Sequence, residues 1–173
     1  MLDRDTLEAA LRALPPAPLD LGVVQQVVLR LPEEGRHRGS EIRLKPGCGA
    51  VGDRWVDGKA DPEAEVTLMR SDVAGVMCAG GDPAILGDNL FVLLDTSAEN
   101  LPAGAVLRLG GALCAVTAKP HRGCAKFKER VGADAWAVTL DPGWRSLNLR
   151  GVHLRVLEEG LVRVGDRVEV VSR

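Results

Sequence analysis

Residues 22–31 read Gly-Val-Val-Gln-Gln-Val-Val-Leu-Arg-Leu, a Val-rich run that predicts a strand. Shorter apolar or alternating runs follow at 42–44, 65–68, 91–94, 106–109, 112–118, 151–157, 161–164 and 167–171. Glycine-bearing turns divide them, among them Gly110-Gly111, Leu101-Pro-Ala-Gly and Gly165-Asp166. Residues 35–40 are polar and read as a loop. Helical spacing is confined to a few places. Leu7, Leu11 and Leu14 form one stripe, with Asp5 and Glu8 in capping-box positions and Pro15-Pro16 as the stop. Ser71-Asp72 starts a short helix that ends near Met77. Phe127 and Val131 stand at i, i+4 in a helix over 124–131 that Gly132 closes, and 134–140 predicts another. Many short strands with few helices predict a mainly β fold, closed as a Greek-key-like β-barrel. Val-Gly-Asp-Arg occurs at Val51 and again at Val164, which reads as repeated turn chemistry.

Composition narrows the function classes. The 173 residues suit one domain, and 46% hydrophobic residues supply a core. With no Tyr, two Phe and three Trp, that core must be Val, Leu and Ala, and an aromatic platform for stacking bases is not expected. A net charge of -2 argues against bulk attraction to nucleic acid. The first residues are charged, and no apolar run approaches the ~20 residues of a membrane span. The expectation is a cytoplasmic protein. Its cysteines, at 48, 78, 114 and 124, should then stay reduced, and the absence of a Cys-x-x-Cys pair gives structural zinc little support.

The chemistry concentrates at Cys124. The run from Ala115 to Lys119 reads as strand, Pro120 and Gly123 make a turn, and the helical pattern begins at the cysteine. His121, Arg122 and Lys126 surround it in sequence. A cation and a helix start favour thiolate over thiol. A thiolate can attack, ligate a soft metal or carry sulfur. The alternative is a small apolar filler. Cys114, in Leu-Cys-Ala-Val, and Cys78, at a helix end, read as core. Cys48, in Pro-Gly-Cys-Gly, faces a cleft or is a loop thiol without a role.

Four ordered stretches resemble the MOSC family, the domain named for the C-terminal part of molybdenum-cofactor sulfurase. They are Gly49-Ala-Val-Gly-Asp-Arg-Trp; Gly87-Asp-Asn-Leu; Leu101-Pro-Ala-Gly with Pro120-His-Arg-Gly-Cys-Ala-Lys-Phe downstream; and Arg150-Gly-Val-His-Leu-Arg-Val-Leu with Gly160-x-Val-x-Val-Gly-Asp. The likeness is to small, stand-alone bacterial members. It implies a MOSC-type barrel over 21–173, preceded by a helical extension over 1–20. It further implies that Cys124 lines a cleft and either ligates molybdenum in the molybdenum cofactor or carries a persulfide.

The resemblance implies sulfur transfer or reduction of N-hydroxylated compounds, with a carrier module that passes its cargo to a partner as the alternative. A redox partner or a sulfur donor or acceptor protein is implied, since no flavin, nicotinamide or iron–sulfur motif is visible. The family's association with pyridoxal phosphate belongs to relatives with an added desulfurase domain. The candidate site is Cys124 as metal ligand and reactive thiol, His121 as proton donor, and Asp53, Arg54, Asn89, Arg122, Lys126 and Arg150 as cofactor-binding residues. Arg54, with its planar fork, suits a phosphate. Asp53 has the alternative of an internal salt bridge, and Asn89 that of a loop brace. Arg130 and Arg145 read as solvated cations. Trp55 stands where many members have His, and Asp88 where Glu is common.

Overall fold

A computed structural model describes residues 1–58 and 60–173. In chain order the α-helices are α1 (Arg4–Arg12), α2 (Ser71–Met77), α3 (Ala125–Val131) and α4 (Ala133–Leu140). The strands are β1 (Leu21–Arg30), β2 (Arg36–Gly39), β3 (Glu41–Lys45), β4 (Gly49–Ala50), β5 (Val66–Arg70), β6 (Leu90–Leu93), β7 (Val106–Leu109), β8 (Ala112–Val116), β9 (Val152–Glu158), β10 (Gly160–Arg163) and β11 (Arg167–Ser172). Seven strands run in the order β11-β7-β8-β9-β5-β6-β1, and β11 pairs back onto β1. The barrel is therefore closed and mainly β, as the strand pattern predicts. β10, β3 and β4 form a smaller sheet.

β1 makes closure possible. Its start, Leu21–Val23, pairs with β11, while Val23–Val27 pairs with β6 across a bulge between Val24 and Gln26. A bulge bends and twists a strand, which lets one strand serve two neighbours. The β5–β6 pair is the barrel's parallel one. A parallel pair needs a crossover, and α2 supplies it.

Strand alternation explains the two cores. Leu68, Leu90, Val92 and Val27 point into the barrel, whereas their neighbours Met69, Phe91 and Val28 point out. The outward set packs against Leu7 and Leu11 of α1, Val73 of α2 and Phe127 of α3. Helices thus cover one flank of the barrel and bring α3 against the strands that carry the polar motifs.

Three local expectations change. The N-cap of α1 is Asp3, whose side chain accepts from the Thr6 N–H, and Glu8 instead bonds Arg4 and Arg12. Residues 36–39 form β2 rather than loop, because the end of β1 offers its backbone to that polar edge. α2 begins at Ser71 with Arg70 as N-cap. The two Val-Gly-Asp-Arg copies do share a turn: the Asp53 N–H reaches Ala50 O and the Asp166 N–H reaches Arg163 O, both at 3.0 Å.

Candidate functional site

Two segments converge where the barrel meets α3. The turn Gly87-Asp88-Asn89 leads into β6, and Arg150-Gly151 leads into β9. Asp88 is fully buried and Arg150 nearly so. Arg150 Nη1 donates to Asp88 Oδ2 at 2.7 Å, and the guanidinium lies 4.3 Å from the centroid of the Phe127 ring. Arg150 Nη2 stands 3.1 Å from His121 Nε2. A guanidinium only donates, so Nε2 accepts and the imidazole proton sits on Nδ1. That nitrogen faces Asp88 Oδ1 at 3.6 Å. His153 lies beside His121, ring centroids 4.3 Å apart, with its Nδ1 donating to Lys119 O.

Burial pushes the pKa of His121 well below the usual imidazole value, and the adjacent Arg150 and His153 push the same way. Burial also lowers that of His153. Both rings are neutral at neutral pH. An unfolded chain takes up protons on these histidines below about pH 6.5, while the fold does not. Stability is therefore full above that pH and falls as acid is added, by up to ~1.4 kcal/mol per pH unit for each ring. Urea midpoints measured from about pH 7.5 to about pH 5 should fall, and His153→Gln should make that fall shallower. An unchanged slope in a folded variant would contradict this account.

His121 and Arg150 also line a cavity of about 930 Å3, within the range of small-molecule sites. Lys119, Arg122 and Arg145 line it too, and none of its lining residues is Asp or Glu. Trp144 and Leu101 give it apolar wall. Arg145 thus faces a cavity rather than only bulk solvent.

The other predicted residues fall into separate groups. Asp53 is buried and takes bonds from the Arg30 backbone (2.7 Å) and guanidinium (2.9 Å), Trp55 N and Asn89 Nδ2 (2.8 Å). Asn89 also donates to Val28 O and accepts from Thr67. The pair pins the 51–53 turn to β1 and β5, the bracing arrangement the sequence allowed for both. Arg54 and Lys126 meet, but on a carboxylate: Glu34 Oε1 receives Arg54 at 3.1 Å and Lys126 at 2.5 Å. Arg130 bonds the same carboxylate and is only 21% exposed.

Cys124 is exposed and is the N-cap of the seven-residue α3, with no capping bond from its side chain. It lies between Arg122, which lines the cavity, and Lys126, which reaches Glu34. It does not itself line the cavity. The His121 ring makes its polar approaches to Arg150 and Asp88. Cys114 is buried, and burial pushes its thiol up to about 12. Cys78 is half-buried rather than core, with its thiol donating to Gly81 O, and burial raises its pKa. Cys48 is half-buried in the turn between β3 and β4 and is outside the cavity lining.

Sequence reasoning did not place Glu34, His153 or Phe127 at this site. Glu34 falls between the strand read over 22–31 and the loop read over 35–40, and Phe127 and His153 lie in stretches that resemble the family without a role being assigned to them. Asp88 carried a signal, since it lies in the Gly-Asp-Asn-Leu motif.

The family model of the MOSC domain matches residues 62–169, more than half of the chain. The chain belongs to the MOSC domain family. MOSC domains are associated with binding of molybdenum cofactor. The matched stretch takes in Asp88, Asn89, His121, Cys124 and Arg150 and begins after the 49–55 loop.

Solved structures share the MOSC fold with this chain. YuaD from Bacillus subtilis is 16% identical with a TM-score of 0.66, over 88% of this chain and 97% of that one. YiiM from Escherichia coli is 19% identical with a TM-score of 0.58, over 87% and 70%. YiiM from Geobacillus stearothermophilus is 16% identical with a TM-score of 0.53, over 91% and 76%. No curated protein matches the chain. Among the described residues, no group of three or more His, Cys, Asp or Glu side chains is placed to hold a metal ion, and no helix is long and apolar enough to cross a membrane.

Proposed function

We propose that this MOSC protein binds molybdenum cofactor and acts in sulfur transfer or in Mo-dependent reduction of N-hydroxylated compounds. The observation that carries the reading is the cavity of about 930 Å3, lined by Lys119, Arg122, Arg145 and Arg150 and by no carboxylate. A pterin with a phosphate monoester fits such a lining. Its phosphate would find cations there, Arg122 and Arg145 beside the already paired Lys119 (with Asp61) and Arg150 (with Asp88), and its ring would find apolar wall. The buried acceptor Asp88 Oδ1 and the His121 Nδ1 proton face each other at 3.6 Å, whereas Arg150 Nε is a buried donor on a cavity-lining residue with no hydrogen-bond partner. Unpaired groups of this kind carry a cost that a polar ligand relieves.

In this reading Arg122 and Arg150 hold the phosphate. Asp53 and Asn89 act by fixing the turn that presents Arg54, and Arg54 and Lys126 add positive charge beyond the cavity. Neutral His121 accepts from Arg150 and keeps its guanidinium in place. Cys124 would supply a soft sulfur ligand. When bound, the cofactor supplies a two-electron redox centre, so reduction calls for a separate electron-donating partner.

Cys124→Ala purified from a cofactor-producing host tests the reading. Loss of a partner one shell out from a metal ligand already costs about 10–100-fold in affinity, and loss of the ligand itself costs at least as much. Molybdenum content should fall about tenfold or more while the protein stays folded. Equal molybdenum in the two proteins would remove Cys124 from the ligand set.

A second reading rests on the exposure of Cys124 outside the cavity lining. An accessible thiol suits a non-catalytic carrier that hands sulfur or cofactor to a partner enzyme. Incubation with a persulfide donor, whose S–S bond breaks to release a thiol as its outer sulfur moves to Cys124, should then add one sulfur atom by mass spectrometry, without turnover of N-hydroxylated bases. Turnover with bound molybdenum would favour the first reading.

A further inference from the structure

Glu34 is the meeting point of three parts of the chain. Arg54 comes from the turn after β4, Lys126 and Arg130 come from α3, and Arg36 comes from β2. Arg54 and Lys126 bond one carboxylate oxygen, Arg130 bonds the other, and Arg36 lies 3.7 Å away. Four cations thus share one carboxylate. None of the four forms another salt bridge among the described residues. Arg30, close by, is already matched by Asp53.

Arg36 is held by bonds besides that carboxylate, whereas Arg54, Lys126 and Arg130 make their side-chain hydrogen bonds to Glu34. Arg36 donates to the carbonyls of Glu34, Gly35 and Ala84. Gly87, at φ +92°, leaves the space they occupy: a Cβ there would meet Arg130 Nη1 at 3.1 Å and Arg36 Nη2 at 3.7 Å. The carboxylate projects from the tight β1–β2 turn, which the Leu31 N–H to Gly35 O bond closes. Glu33 and Glu34 both have left-handed backbones, φ 54° and 64°. Non-glycine residues keep that conformation only where their surroundings enforce it. Glu34 is itself part-exposed, 45% at the side chain.

We propose that Arg36, Arg54, Lys126 and Arg130 form a binding site for a phosphate-class dianion, which Glu34 occupies as an internal competitor in the free chain. A dianion matches four cations better than one carboxylate does, and its tetrahedral oxygens can take several guanidinium and ammonium donors at once. Electrostatics agree: Lys126 and Arg54 hold the Glu34 carboxyl down at about 2, and burial beside Arg130 and Arg54 lowers the pKa of Arg36. Displacement of Glu34 opens the four cations to the anion. It also places the anion against α3, the helix that Cys124 begins. This goes beyond the cofactor reading, since it depends on the charge balance around Glu34 and not on molybdenum.

Inorganic phosphate titrated calorimetrically into the full chain, at an ionic strength held with chloride, tests the site. Removing an internal competitor raises the competent fraction, so Glu34→Gln should bind phosphate about tenfold more tightly than wild type. Arg54→Gln in the same background should abolish the gain. Glu34→Asp, which keeps the charge but retracts it by one methylene, should tighten binding by a smaller factor and serves if Glu34→Gln fails to fold. Equal or weaker binding by folded Glu34 variants, or a gain that survives Arg54→Gln, would overturn the proposal. Pterin released from wild type and Glu34→Gln, both from a cofactor-producing host, assigns the source. More pterin in the variant points to a phosphate monoester on the cofactor; equal pterin with tighter phosphate binding points to free phosphate. Molybdenum loss in Cys124→Ala tests the cofactor reading and leaves this outcome independent of it.

Discussion

Asp88→Ala is expected to destabilise the fold by about 3–5 kcal/mol, the cost of leaving one member of a buried ion pair alone. The Arg150 side chain is 6% exposed and Asp88 is not exposed at all. Removal of the carboxylate leaves a guanidinium under Phe127 with His121 as its remaining side-chain nitrogen partner. Removal of the cation in Arg150→Met strands the carboxylate instead and should cost a similar amount. The pair need not be strongly stabilising in sum, because desolvation of both ions offsets their attraction. The double variant Asp88→Ala/Arg150→Met should therefore be much less destabilised than the two single losses added together. Urea unfolding of the three variants decides it; additive losses would show that the two residues do not act as a pair. Cofactor content should fall in every variant that lacks Arg150, since that residue lines the cavity.

Gly151→Ala is expected to open the barrel beside the same residues. Gly151 has φ +75°, and a Cβ there would lie 1.9 Å from Leu68 O and 2.8 Å from Met69 Cα. Those are backbone atoms of β5, which no side-chain rotation can move. β5 and β9 pair at Leu68 and Val152, one residue on. Relief of the clash must separate these strands and displace Arg150 with them. A left-handed non-glycine backbone costs about 1–3 kcal/mol, and overpacking adds about 1–3 kcal/mol. The sum, about 2–6 kcal/mol, is a large share of the ~5–15 kcal/mol stability of a domain and at its upper end matches the least stable ones. Gly104→Ala is the control. Gly104 has φ +95° with nothing within 4 Å of the added Cβ, so it bears the conformational part alone. Thermal unfolding should rank Gly151→Ala well below Gly104→Ala. Equal losses would mean that the close approach of Leu68 is tolerated.

Much of the fold is legible in the chain because strand and turn signals are local. The alternation in β5, β6 and β9, the glycine turns between β7 and β8, and the α3 spacing of Phe127 and Val131 each lie within a few residues. β2 escaped that reading because its Arg-His-Arg-Gly sequence has no apolar alternation, and its partner at the end of β1 supplies the hydrogen bonds. The site was legible in part. Motif residues Asp53, Asn89 and Arg150 stand at junctions where loops meet strands. Their partners are far away in sequence: Asp53 bonds Asn89 across 36 residues, and Arg150 bonds Asp88 across 62. No local pattern encodes those pairings.

By itself, the sequence determined the mainly β character, the order of strands and turns, the family motifs and the cysteine at the start of α3. Tertiary structure alone decided which charges meet. It turned His121 away into a buried group with Asp88 and Arg150, and placed Cys124 on the surface between two cationic regions. It also set Glu34 on Lys126, 92 residues away. The reason is physical: propensity and periodicity act over one or two turns of chain, whereas barrel closure and strand register fix the contacts between distant side chains, and with them burial, charge balance and the proton on an imidazole.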